Sequence, residues 1–133
     1  MNTKNNDFSY LIEQACTAIS ESHIEVRERY KDFPLCLMEL IADGIHREQI
    51  EVSFDKQNGS VTYFFDKNRI VECSSICLYE LSDTDLFIVY LEQFADSYNY
   101  IKKHWIINQQ YYMTANEMER CVHFYCYKFA INQ

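Results

Sequence analysis

The side chains with the clearest capacity for chemistry are carboxylates gathered in residues 70–101. This stretch contains no lysine or arginine, and it carries six acidic residues: Glu72, Glu80, Asp83, Asp85, Glu92 and Asp96. On a helix, Glu92 and Asp96 would share one face and repel each other by roughly 0.2–0.5 kcal/mol. A divalent cation or a basic protein partner would relieve that repulsion. Chance clustering is the third explanation.

A metal-dependent hydrolase is one function that such carboxylates could support. Two-metal nucleases hold their cations through Asp and Glu, but they also have to bring phosphate groups past the site. The stretch offers no basic residue to hold a phosphate. The missing cations therefore favour a basic protein partner, and the small hydrolase is kept as the alternative.

Thiols and imidazoles form the second set of side chains that could carry out chemistry. The strongest zinc candidate is Cys121, His123 and Cys126, with Cys73 and Cys77 in support. If residues 115–130 form a helix, Cys121 and Cys126 point in different directions. If Cys73 and Cys77 lie on one strand, they are about 13 Å apart. This spacing favours thiols buried as small apolar side chains, and it predicts neither a metal nor another cofactor.

No motif activates a catalytic nucleophile. The chain has two glycines and one proline, so it contains no G-x-S-x-G turn, no P-loop and no G-x-G-x-x-G loop. A Cys–His pair that meets only in space is the remaining route to catalysis. We therefore predict no catalytic residue and expect that the protein is not an enzyme.

Composition narrows the choice of partner. Twenty Asp and Glu against twelve Lys and Arg give a formal net charge of -8, which disfavours nucleic acid and anionic membranes. A basic partner is favoured, although solubility alone explains such a charge equally well. Eleven tyrosines add side chains that are common at protein interfaces.

The location follows from two absences in the sequence. The first residues are polar rather than a charged and apolar signal sequence, and no apolar run reaches the roughly 18 residues of a membrane span. We therefore predict a cytoplasmic protein without membrane contact, whose six cysteines stay reduced.

Two helices are predicted at the N-terminus to position these groups. From Phe8 to Phe33 the apolar residues recur mostly at three, four or seven positions, with a break near residues 20–22. Pro34 suits the first turn of a second helix, and Gly44 suits its end.

A period of two then predicts strands over residues 50–54, 61–65 and 69–73, with Asn58-Gly59 supplying a hairpin turn. Continuation of the third strand to residue 81, or a fourth strand there, is left open. Helical spacing returns over residues 83–103, after the N-cap candidate Ser82, and over residues 115–130. The buried stripe predicted on the first of these two helices comprises Phe87, Tyr90, Leu91, Phe94, Tyr98, Ile101 and Trp105. The predicted fold class is α+β: two N-terminal helices, a three- to four-stranded antiparallel meander and two C-terminal helices in a single domain, 1–133.

In size, acidity, tyrosine content and lack of a catalytic motif, the chain resembles the small acidic immunity proteins that bacteria pair with nuclease toxins. The toxins of contact-dependent inhibition and colicin systems are examples. This class-level resemblance implies a protein that binds one cognate toxin and blocks its basic active-site cleft. The predicted partner-binding residues are Glu80, Asp83, Asp85, Glu92, Asp96, Tyr79 and Tyr98.

Two other binding roles fit the same features. A phage-encoded inhibitor that mimics nucleic acid would share the acidity. A structural or adaptor subunit would instead use the aromatic surface of the last predicted helix, including Phe124 and Tyr127.

Overall fold

Strands rather than helices dominate the chain. A computed structural model describes residues 3–118 and 121–130. The strands are β1 (Leu35–Ala42), β2 (Ile45–Phe54), β3 (Gly59–Phe65), β4 (Val71–Leu78), β5 (Ser97–Asn99), β6 (His104–Ile107), β7 (Tyr111–Met118) and β8 (Cys121–Lys128). They form one antiparallel sheet in the order β1-β2-β3-β4-β8-β7-β6-β5. Two four-stranded meanders therefore meet where β4 pairs with β8.

Each meander follows helical structure in the chain. Helices α1 (Thr3–Thr17) and α2 (His23–Arg29) precede the first meander, and α3 (Ser82–Phe94) precedes the second. A capping box at the start of α2 joins Ser22 and Glu25, which satisfies backbone N–H groups that the helix leaves free. None of the helices described is long and apolar enough to span a bilayer.

The core lies between the helices and one face of the sheet. The Phe87 ring of α3 packs against Phe8 of α1 at 5.1 Å and against Phe124 of β8 at 4.4 Å, so one aromatic side chain joins three elements. The largest fully buried side chains are Tyr30, Tyr63, Phe8, Phe54, Phe65, Phe87, Phe124, Leu11, Ile12, Ile50, Ile76 and Leu91. Strand residues that alternate with the core set, such as Cys77 and His123, are half-buried on the opposite face.

The predicted architecture is wrong, because two of the four predicted helical regions are largely strand. The strands predicted from a period of two are present as β2, β3 and β4. The N-terminal helical region ends before Pro34, and its break falls at Ser20, which has a positive φ of 83°. Residues 34–44, however, contain β1, and residues 115–130 contain the second half of β7 and all of β8.

A hairpin replaces the second predicted helix. Ala42 pairs with Ile45, so Asp43 and Gly44 form a two-residue loop, with φ angles of 52° and 75°. Positive φ at both central residues is the geometry of a type I′ hairpin turn, for which Asp-Gly is a preferred sequence. Gly44 therefore closes a hairpin and does not end a helix.

The third predicted helix is too long. It was expected over residues 83–103, but α3 ends at Phe94, and β5 and β6 follow. Ser82 is the first helical residue, and the N-cap position belongs to Leu81, which makes no side-chain capping bond.

Gly59 has a role other than the predicted one. The positive φ at this turn belongs to Asn58, at 59°, whereas Gly59 is the first residue of β3. A Cβ at Gly59 would lie 3.0 Å from Leu11 Cδ1 and 3.1 Å from the Cys77 carbonyl oxygen. Gly59 thus allows α1 and β4 to approach the strand closely.

Candidate binding surface

The outward side of α3 carries acidic and apolar side chains together. Asp85, Leu86, Val89 and Glu92 are all exposed, and their spacing of three or four residues places them on neighbouring turns. Leu86 and Val89 are 51% and 52% exposed, respectively. These four residues are called the outer face of α3 below. Exposed aliphatic side chains surrounded by carboxylates are typical of protein–protein interaction surfaces.

The inward side of α3 explains why the helix holds this orientation. Phe87 and Leu91 are fully buried, and Thr84 is nearly so. The helix cannot rotate about its axis without exposing Phe87, whose ring lies against Phe8 and Phe124. The outer face of α3 is therefore fixed towards solvent by the core beneath it.

A cleft lies beyond the C-terminal end of α3. It measures about 630 Å³ and is lined by Glu92, Ala95, Asp96, Ser97, Tyr98, Tyr100 and Trp105. Tyr98 packs edge-on against Tyr100 at 4.9 Å and against Trp105 at 5.1 Å. This aromatic cleft therefore combines three rings with two carboxylates. Aromatic faces and carboxylates both attract a lysine or arginine side chain.

Hydrogen bonds position the acidic groups around the aromatic cleft. The Gln109 N–H donates to Asp96 Oδ2 at 2.8 Å, and the Asp96 N–H donates to the Ile106 carbonyl at 2.8 Å. Asn99 Oδ1 accepts the N–H groups of Ile101 and Lys102, both at 3.0 Å, which shapes the turn between β5 and β6. The turn presents Tyr100 with 82% of its surface exposed.

The cationic side chains that the structure describes form no ion pair with the exposed acids. Among the described side chains, those of residues 6–41, 43–117 and 121–130, no Lys, Arg or His forms an ion pair with Glu80, Asp85, Glu92 or Asp96. The ion pairs that are present lie elsewhere, as between Arg29 and Glu21. The four carboxylates therefore lie at the surface without a cationic partner among the described side chains.

The remaining predicted contacts occupy different environments. Asp83 is only 4% exposed, and Asn58 Nδ2 donates to its Oδ2 at 3.4 Å, so we leave it out of the candidate surface. Tyr79 is 46% exposed, and its hydroxyl donates to Asp55 Oδ1 at 3.1 Å. Glu80 lies between β4 and α3 and is exposed. Tyr98 is half-buried as a wall of the aromatic cleft.

Several residues of the surface were missed because they were expected to be buried. The predicted apolar stripe of the third helix included Phe94 and Ile101, which are 38% and 93% exposed. Leu86 and Val89 were predicted neither in that stripe nor as partner contacts. Helical spacing does distinguish Leu86 and Val89 from Phe87 and Leu91, so the sequence held a signal for them.

The thiols are arranged in two pairs that no spacing rule predicts. Cys16 and Cys126 meet in the core with their Sγ atoms 3.5 Å apart. Cys77 and Cys121 meet on the opposite face of the sheet, also with 3.5 Å between their Sγ atoms. Burial, with a hydrogen bond to Cys121, raises the pKa of the Cys77 thiol to about 12. All six cysteines are free thiols.

The carboxylates of the candidate surface do not converge as ligands of a metal ion. Within the described part of the chain, groups of three or more ligand atoms occur at Cys77, Cys121 and His123 and at Glu39, His46 and Glu48. Neither group includes Glu80, Asp83, Asp85, Glu92 or Asp96.

An exposed apolar hairpin marks the far edge of the sheet. Among the described strands, β1 pairs only with β2, and Leu37, Leu40, Ile41 and Ile45 are each more than half exposed. The aromatic surface predicted on a last helix is absent, because Phe124 is fully buried in β8 and Tyr127 is half-buried. An adaptor function would therefore depend on the β1–β2 hairpin instead.

Comparisons with known proteins returned no relative. No protein-family model matches the sequence, and no curated protein or solved structure gives a match. The case for function therefore depends on the chemistry of the surface itself.

Proposed function

We propose that this chain is a binding protein that captures a basic protein through the outer face of α3 and the aromatic cleft. The observation that carries the proposal is the set of exposed carboxylates, Glu80, Asp85, Glu92 and Asp96, beside exposed Leu86, Val89 and Tyr100. Unneutralised charge speeds the encounter with a cationic surface, and desolvated apolar anchors slow release.

The partner class is a cytoplasmic nuclease toxin, and the role is that of an immunity protein. A nuclease needs a basic cleft to hold phosphates, and carboxylates on α3 can occupy that cleft in their place. The aromatic cleft would receive one lysine or arginine from the rim of the toxin's active site. Six cysteines that are all free thiols support a reducing compartment such as the cytoplasm.

Co-purification with a candidate toxin is the first experiment. The chain is expressed with the product of the neighbouring gene, and the affinity of the complex is measured by calorimetry at low and high salt. Tight binding that weakens with salt supports the proposal, because charge complementarity between exposed groups is screened. If the chain forms a complex with the product of neither neighbouring gene, that result counts against the toxin assignment.

Charge location is tested with two variants of equal net charge. Neutralising Glu80, Asp85, Glu92 and Asp96 to Gln or Asn changes the net charge from -8 to -4, because four negative charges are removed. Neutralising the exposed acids Glu13, Asp32, Glu72 and Glu117 gives the same net charge. The first variant should lose roughly 10- to 100-fold in affinity, and the second should lose little. Equal losses would mean that only overall charge matters.

The contribution of apolar contacts to binding is tested with two matched alanine substitutions, one on α3 and one on α2. Leu86→Ala removes an exposed side chain on the outer face of α3, and Ile24→Ala removes a 64% exposed side chain on α2. Leu86→Ala should weaken the complex about tenfold or more, whereas Ile24→Ala should not. The reverse result would place the interface on α2.

The two rival functions predict other outcomes. A metal-dependent hydrolase would bind magnesium or manganese through these carboxylates, and the four-site neutralised variant would lose that binding. An adaptor subunit would self-associate through the β1–β2 hairpin, and the association would survive high salt. Calorimetry with magnesium or manganese and light scattering at two salt concentrations separate these cases.

A further inference from the structure

We propose that Cys77, Cys121 and His123 form a zinc-binding site on the face of the sheet opposite the helices. One ligand atom from each residue lies within 4.8 Å of the others, and all three side chains are half-buried. Thiolate and imidazole are the ligands that zinc takes in proteins, usually in a tetrahedron. This site is separate from the outer face of α3 and does not depend on the proposed partner.

Strand pairing brings the three residues together. Cys77 of β4 stands opposite His123 of β8, and Cys121 precedes His123 by two residues, so all three side chains leave the sheet on one face. The sequence interpretation failed here because it placed Cys121 and His123 on a helix. It also grouped them with Cys126, which lies on the core face of β8 and contacts Cys16.

The spacing of the sulfurs fits a shared metal ion. Two thiolates bound to zinc at about 2.3 Å in a tetrahedron lie about 3.8 Å apart. The Sγ atoms of Cys77 and Cys121 are 3.5 Å apart, so only a small adjustment is needed. His123 also has an outer partner, because Ser75 Oγ lies 3.4 Å from its Nδ1. Such partners orient the imidazoles that bind metals.

A disulfide is a poorer explanation for the same pair. Because Cys77 faces His123, Cys121 is its diagonal neighbour on the adjacent strand. Diagonal neighbours have Cα atoms about 7–8 Å apart. Disulfides usually need a Cα separation of about 4.4–6.8 Å. The usual spacing of diagonal neighbours therefore fits a bridging ion better than a disulfide.

Three protein ligands leave one position of the tetrahedron for water or for a group from another molecule. Zinc sites of this type keep an open coordination position.

The other ligand group, Glu39, His46 and Glu48, is a weaker candidate, because Arg69 Nε already donates to Glu48 Oε2 at 2.9 Å. It serves as an internal comparison in the experiment.

The test uses the reduced full-length chain and two metal probes. Zinc is added in competition with a coloured chelator, and cobalt is added alone because tetrahedral thiolate coordination gives intense visible absorption. We expect one zinc per chain and a tetrahedral cobalt spectrum. Cys77→Ser, Cys121→Ser and His123→Ala should each lose more affinity than the roughly 10- to 100-fold that removal of an outer partner costs.

Matched variants define the outcomes that would overturn the proposal. Cys73→Ser removes another half-buried thiol of β4, and His46→Ala disables the comparison group; both should bind zinc as the wild type does. The proposal is overturned if zinc does not bind, or if Cys77→Ser and Cys121→Ser bind it unchanged. It is also overturned if His46→Ala alone abolishes binding.

An alkylation experiment on the wild-type protein needs no substitution, and it tests the site even if a variant fails to fold. Cysteines are alkylated with and without zinc, and the modified positions are identified by mass spectrometry. Zinc should protect Cys77 and Cys121 and leave the exposed Cys36 reactive. Equal alkylation of Cys77 and Cys121 in both conditions would refute the site.

Discussion

A pair of buried tyrosines should make the fold sensitive to alkaline pH. Tyr30 and Tyr63 are 2% and 0% exposed, and their rings stack with centroids 5.6 Å apart. The Tyr30 hydroxyl donates to Gln14 Oε1 at 2.8 Å, and the Tyr63 hydroxyl donates to the Gln14 carbonyl at 2.9 Å. These bonds tie α1 to the end of α2 and to β3. Burial raises the pKa of Tyr30 to about 12, and it also raises the pKa of Tyr63.

The sign and size of the effect follow from the two states of Tyr30. In the unfolded chain the phenol ionises near its usual pKa of 10.0, whereas in the folded chain its pKa is about 12. Below the unfolded pKa both states are protonated, and the stabilisation is fully present. As the pH rises from about 10 to about 12, only the unfolded state ionises freely, and the free energy of unfolding falls. A shift of about two units corresponds to about 3 kcal/mol. Tyr63 contributes in the same direction.

Chemical denaturation followed by circular dichroism measures the loss. Wild-type protein should lose about 3 kcal/mol or more across this pH window, and Tyr30→Phe should lose about 3 kcal/mol less than the wild type. Tyr100→Phe is the matched control because Tyr100 is 82% exposed, and it should behave as the wild type. If Tyr30→Phe loses as much stability as the wild type, Tyr30 does not carry the pH dependence and the reasoning is refuted.

Three further predictions concern the fold and its thiols. Gly59→Ala should cost about 1–3 kcal/mol in denaturant unfolding, because its Cβ would press on α1 and on the Cys77 carbonyl; an unchanged midpoint would contradict that close approach. Ser22→Ala should cost about 1 kcal/mol in the same measurement, since it removes the capping bond of α2, and a neutral result would show that the bond is dispensable. Exposed Cys36 should be alkylated well before buried Cys126 in native buffer, and the difference should vanish in denaturant; equal native rates would mean that the core opens readily.

Prediction from the sequence was correct for β2 and α1, where one periodicity dominates. Ile50, Val52 and Phe54 alternate with polar residues, so β2 was identifiable. Leu11 and Ala15 repeat at helical spacing and lie in α1. In both segments one side is polar, and only one backbone period keeps that side in water.

The errors fall where nearly every residue is apolar or aromatic. The sequence of β8, Cys121–Lys128, fits a helix stripe and a strand equally well by spacing, so its aromatic and β-branched content should have decided the prediction. The sequence of β1 contains good helix formers, and only the Asp43-Gly44 turn indicated a hairpin. The pairing of β4 with β8 has no local signal, because it joins segments more than forty residues apart. The Cys77, Cys121 and His123 cluster depends on that pairing and was unpredictable for the same reason.

The candidate surface was partly predictable because charged residues can be counted from the sequence without knowledge of the fold. The absence of Lys and Arg from residues 70–101 indicated the acidic region directly. Burial had to come from the structure, which leaves Asp83 out and adds Leu86 and Val89.

Zero-length cross-linking of the complex with its basic partner tests the binding surface most directly. A carbodiimide joins carboxylates to lysines that lie in contact, and mass spectrometry identifies the joined residues. We expect cross-links from Asp85, Glu92 and Asp96. Cross-links confined to exposed acids outside the candidate surface, such as Glu72 and Glu117, would contradict the account.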